Sequence, residues 1–176
     1  MSNAAMVDQG TFTDKAGNLY HPHAEINGLS VADAEQRMDF LPAYFTSAFM
    51  AFEGAVLDMA RKTIKGYTGG YWEYALTESG LPFVYPKHRI EGDELPRLTV
   101  SNVFDDEHQD LHPVLAGIIT TMVALIIMME NAEKLDLTDA EEEAIYDLRL
   151  DLRDYALNLG KALGDEQDRA FYKLFN

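Results

Sequence analysis

The chain has no cysteine among its 176 residues. Disulfides and cysteine-ligated zinc are therefore excluded, and the composition suits a reducing compartment such as the cytoplasm. Positive charge is also scarce, with 14 Lys and Arg against 30 Asp and Glu, a net of −16. Non-specific nucleic-acid binding depends on cations that neutralise phosphates. A chain of this balance repels a duplex, so direct nucleic-acid binding is not expected. The phosphate-cradling patterns GxxxxGK and GxGxxG do not occur, nor do GxSxG or a calcium-loop pattern. No catalytic residue, cofactor or resident metal is assigned. The first ten residues, MSNAAMVDQG, carry neither a basic segment nor an apolar core and do not read as a secretory signal. The longest apolar run, residues 114–129, holds 16 residues between acidic flanks. A span needs about 20, so the run reads as a buried helix and no membrane partner is expected.

What is present is ordinary for a globular domain. Apolar residues make up 47 % and charged residues 25 %, and the length suits one domain with its own core. Residues 1–35 are polar and weakly patterned, with HPH at 21–23 and glycines at 10, 17 and 28. They read as a loosely held arm before a domain spanning residues 36–176.

That domain opens with helical periodicity. Phe45, Phe49, Phe52, Val56 and Met59 recur at steps of three and four, which is one apolar face. Pro42 suits a first helical turn, and Gly66 follows Arg61, Lys62 and Lys65 as a stop. The pattern then changes to alternation. In YWEYAL, Trp72, Tyr74 and Leu76 point one way and Tyr71, Glu73 and Ala75 the other. TESG is a turn, LPFVYP a short edge strand between prolines, and RLTVSNV a third strand. DDEHQDLHPV reads as an acidic loop before the apolar helix. Thr138 with Glu141 forms a capping box ahead of a helix that buries Ile145, Leu148, Leu152, Tyr155 and Leu159 and stops at Gly160. A short last helix docks through Phe171, Leu174 and Phe175. The fold class is α+β, with a small antiparallel sheet of about three strands packed among several α-helices in a single domain.

Three stretches compete as functional sites. GGYWEY holds the one tryptophan of the chain. Aromatics in a strand mostly pack a core, yet Tyr71 and Glu73 can face outward, and tyrosine and tryptophan are common binding anchors. Glu143, Asp147, Asp151 and Asp154 form an acidic stripe on the penultimate helix. It is either a solvated outer face or a docking surface for a basic partner. It also leaves open an acidic mimic of nucleic acid that binds a DNA-binding complex directly. His108 and His112 are four apart, as metal-ligating helix residues often are, with Asp105, Asp106 and Asp110 nearby to suit a divalent ion, but HQDLH lacks the glutamate of the zinc-protease pattern and Pro113 reads as the start of the helix. This leaves a small metal-dependent enzyme as a further alternative.

MDFLPAYF, FMAFEGAV, YTGGYWEYALTESG, RLTVSNV, LAGIITTMVALI and LRDYALNLG occur in that order between residues 37 and 160. In order and spacing the chain resembles the ArdB/KlcA family of antirestriction proteins. The GGYW block is the most specific of the matching stretches. ESGLPFVYP departs from the family's usual turn, and the N-terminal arm and acidic tail are longer. The resemblance implies an α+β domain in the bacterial cytoplasm that protects incoming plasmid or phage DNA from type I restriction. Together with the absence of catalytic patterns, it leads to the expectation of a non-enzymatic action through a protein partner linked to that system. It offers no catalytic residues. Gly69, Gly70, Tyr71 and Trp72, with the adjoining Glu73, are carried over as motif residues.

Overall fold

The longest apolar run lies at the centre of the molecule. A computed structural model describes residues 11–14, 17–33, 37–87 and 97–175. In it the helix Pro113–Glu130 has 13 of its 18 residues buried, which makes it the hub of the core. Among the described residues there are five α-helices: α1 (Phe40–Phe45), α2 (Phe49–Thr63), α3 (Pro113–Glu130), α4 (Asp139–Leu163) and α5 (Asp165–Phe175). Seven strands accompany them: β1 (Phe12–Thr13), β2 (Leu19–Pro22), β3 (Ser30–Ala32), β4 (Tyr71–Leu76), β5 (Pro82–Lys87), β6 (Leu98–Ser101) and β7 (Glu107–Leu111). The α+β class is as expected. The strand count is not, because β1 to β5 form one antiparallel sheet in chain order and β6 pairs with β7 in a second.

The polar arm is the larger correction. Residues 12–32 supply three of the five strands of the main sheet, so no loose arm precedes residue 36 over this stretch. Each of these strands is only two to four residues long, and the buried residues are Tyr20 and Ala32. Two isolated apolar positions cannot establish a period of two. Pairing supplies what the pattern lacks: Ser30 and Val31 of β3 register with Leu76 and Ala75 of β4. The RLTVSNV strand buries Leu98 and Val100 as expected, but its partner is β7, the segment expected as an acidic loop. Asn102 makes that hairpin, its side-chain carbonyl accepting from the Phe104 and Asp106 N–H groups.

The β4–β5 register decides how the layers meet. Trp72, Tyr74 and Leu76 share a face with Pro86, Val84 and Pro82. Tyr74 meets the ring of Phe40 in α1, centroids 5.3 Å apart. Tyr71, Glu73 and Ala75 share the other face with Lys87, Tyr85 and Phe83, where Phe83 meets Tyr155 of α4 at 6.4 Å. β5 is an edge, and α3 covers it. Thr121 Oγ1 accepts from the Val84 N–H at 3.2 Å and donates to the Val84 carbonyl at 3.4 Å. Pro82 and Pro86 have the same parity as Val84, so each proline stands where an N–H would point away from β4.

Two glycines permit close approach. A Cβ on Gly117 would overlap the Tyr85 Cα and Cβ and the Val84 carbonyl, so α3 can lie against β5 only with glycine there. Gly160, expected as a helix stop, lies inside α4, and a Cβ there would stand 3.1 Å from the Asp168 Cα of the returning α5. The helix instead ends at Gly164, with φ 120°. Its start is as expected, with the Thr138–Glu141 capping box formed. The helix expected between Pro42 in its first turn and Gly66 at its stop is broken into α1 and α2 by a 3-10 turn at Thr46–Ala48.

Candidate functional site

GGYWEY folds as a pinned strand start. Gly66 and Gly69 have φ of 76° and 119°, which turns the chain out of α2 and into β4. Trp72 is buried, and its Nε1–H donates to the Tyr67 hydroxyl at 2.8 Å, with the two rings edge to face. Trp72 therefore fastens the loop to the strand. Tyr71 is 55 % exposed and Glu73 only 8 %. Glu73 is turned inward on the face that it shares with Tyr71, and Lys87 Nζ reaches it at 2.7 Å.

Glu73 lies at one end of a polar seam that the sequence did not announce. Tyr85 stands opposite it in the register, and His23 packs edge-on to Tyr85 at 5.8 Å. His23 Nδ1 accepts from the Glu25 and Ile26 N–H groups. Glu25 accepts from His112 Nε2 at 2.9 Å, and His112 Nδ1 accepts from the Val114 N–H, capping α3. This fixes the proton of His112 on Nε2. His112 is 1 % exposed. Burial holds its pKa below the usual value, against the pull of Glu25, and burial likewise lowers that of His23. Burial raises Tyr85, and the negative charges of Glu73 and Glu25 push it further. Both ring nitrogens of His112 are committed, so the arrangement is a neutral tie between the β2–β3 loop and α3, not a base held for proton abstraction. His112 before Pro113 was readable as an N-cap. Glu25, 87 residues away, carries no local signal.

The remaining sequence candidates fall elsewhere. Glu143, Asp147, Asp151 and Asp154 are all exposed along α4. Arg153 pairs with Asp154 at 3.3 Å. The spacing argument for a metal at Asp105 to His112 does not hold. His108 lies in β7 and His112 just after it, and four residues of strand extend about 13 Å. Among the described residues no group of three or more His, Asp or Glu converges as a metal site would require.

No family model matches the chain. It is 29 % identical over 144 residues to the antirestriction protein KlcA of Escherichia coli, covering 81 % of this chain and 89 % of that protein. Its fold superposes on a solved structure of the KlcA and ArdB proteins with a TM-score of 0.62 at 26 % identity, covering 88 % of this chain and 99 % of that one. In sequence and in fold the chain is thus similar to the ArdB/KlcA antirestriction proteins. The solved relatives are described as a novel fold with antirestriction activity against type I DNA restriction systems in vivo but not in vitro. Neither relative is described as an enzyme. The likeness extends beyond residues 37–160, where the ArdB/KlcA motifs lie. ESGLPFVYP, the stretch that departs from the ArdB/KlcA pattern, is the β4–β5 turn and edge strand, closed by Thr77 accepting from the Leu81 N–H.

Proposed function

We propose that this chain is an antirestriction protein that alleviates type I restriction of incoming plasmid or phage DNA in the bacterial cytoplasm. It acts without catalysis, through a protein partner. The observation that carries this reading is the match along nearly the whole of the KlcA and ArdB fold, whose activity is seen in vivo but not in vitro. An effect lost on purification is what an action through a further cellular partner produces. The surface assigned to that partner is the exposed end of the β4–β5 face, with Tyr71 at its centre and Lys87 and Glu73 beside it. An exposed tyrosine next to a charged pair has the composition of an interface anchor. Direct mimicry of DNA by the α4 stripe is the second reading. It requires binding to a purified nuclease that weakens steeply with salt.

The test is plating efficiency. Unmodified phage is plated on a type I restricting host and on a non-restricting control, with and without the chain expressed. Protection confined to the restricting host supports antirestriction. Unchanged plating across several type I systems, with soluble folded protein, rejects it. Tyr71→Ala should reduce protection at least tenfold, while circular dichroism and melting stay near the parent's. Full protection by that variant would remove this surface from the reading and leave the activity itself standing.

A further inference from the structure

A groove of about 540 Å³ opens between α2, α3, α5 and the β6–β7 turn, away from the seam. Met59, Ile119, Val123, Ile126, Ile127 and Phe175 make much of its wall. Its size and lining match those of small-molecule sites, which run from about 300 to 1,000 Å³ and are mostly apolar with a few polar groups. Val103 and Phe104 stand at its rim, and Phe104 is 78 % exposed. Apolar side chains left in water beside an apolar groove indicate a surface with an occupant.

Arg149 of α4 supplies the polar group. It lines the groove and is half-buried. Its guanidinium carbon lies over the Tyr146 ring, 5.4 Å from the centroid. Its Nε is buried and has no hydrogen-bond acceptor, and no carboxylate among the described residues pairs with it. A buried N–H donor without an acceptor is costly and rare in folded proteins. A guanidinium fork fits a carboxylate closely. Glu130, exposed where the groove meets solvent, opposes a second negative charge.

We infer that this groove binds an amphipathic monocarboxylate, with its alkyl body along α3 and its carboxylate on Arg149. Decanoate is the probe, titrated into the full chain at neutral pH and followed by methyl NMR and calorimetry. Saturable shifts confined to Ile119, Val123, Ile126 and Ile127, with binding at least tenfold weaker in Arg149→Met and absent in Val123→Trp, are expected. On the unmodified chain, 1-decanol should bind at least tenfold more weakly than decanoate, and decyl phosphate no more tightly. This comparison needs no variant to fold. Absence of shifts up to the solubility limit, shifts centred elsewhere, or equal binding of decanol and decanoate would overturn the inference. Tighter binding of the phosphate would overturn its single-charge clause.

Discussion

Asp14 is one side chain with several donors turned towards it. The Tyr44 and Tyr20 hydroxyls donate to its Oδ2 at 2.6 and 2.9 Å, and Asn18 donates from both its backbone and its side chain. Partial burial opposes its charge, but these hydrogen bonds outweigh that and bring its pKa from 3.8 to about 2. Burial, with the bond to Asp14, pushes Tyr44 up to about 12. A carboxylate with a lowered folded pKa stabilises fully above its unfolded value, and the contribution is lost as pH falls through the folded one. Asp14→Asn should therefore cost about 1–3 kcal/mol in urea unfolding at pH 7, and the gap should close between about pH 4 and pH 2. His112 behaves in the opposite chemical sense. It is neutral when folded and its pKa is lowered, so the unfolded chain binds more protons below 6.5. Stability should fall as pH drops from 6.5 towards 5, because burial makes His23 and His112 resist protonation against the pull of Glu25. His112→Asn keeps an N-cap and should flatten that decline in a series of thermal melts. Neither the donors around Asp14 nor the Glu25 partner of His112 was legible in the sequence beforehand. Asp14 lies in the polar stretch that lacks periodicity, and its partners are up to 30 residues away.

Elements with long periods were legible, and those held by pairing were not. α3, α4 and α5 follow from apolar spacing and from the Thr138 cap, because a helix satisfies its own backbone and needs only a face to bury. β4 and β5 were visible through alternation and their prolines. β1, β2, β3 and β7 were not, since backbone partners rather than side-chain pattern place them. The meeting of α3 with β5 is where helix and sheet depend on each other most directly. Gly117→Val should force the two apart and cost about 1–3 kcal/mol or more, measured as a lower urea midpoint. Thr121→Val keeps the shape but leaves the Val84 N–H buried without an acceptor. A loss of about 1–3 kcal/mol is expected. An unchanged midpoint for Thr121→Val would mean that water or a shifted backbone satisfies the edge instead.

At the scale of the whole molecule, charge and topology act together. The full chain carries a net charge of −16, to which the exposed stripe on α4 contributes. Like charges at four-residue spacing repel, and salt screens them. The melting temperature should rise between low salt and 0.5 M NaCl, and should rise less when Asp147 and Asp151 are both changed to Asn. The candidate surface was legible only in part. GGYW marked the strand that carries Tyr71, but alternation could not tell that Glu73 turns inward to Lys87, because the β4–β5 register that sets Tyr71 opposite Lys87 and Glu73 opposite Tyr85 is tertiary.

The glycine-gated contact between α3 and β5 has a further consequence during synthesis. β5 is complete once residue 87 has been made, but the helix that covers its outer side begins at Pro113. A nascent chain therefore carries an open strand edge until the segment through Thr121 clears the ribosome. Open edges recruit other chains. Variants that weaken the Gly117 or Thr121 contact should be found in inclusion bodies at expression rates that the parent tolerates, and slower translation after residue 87 should worsen that loss.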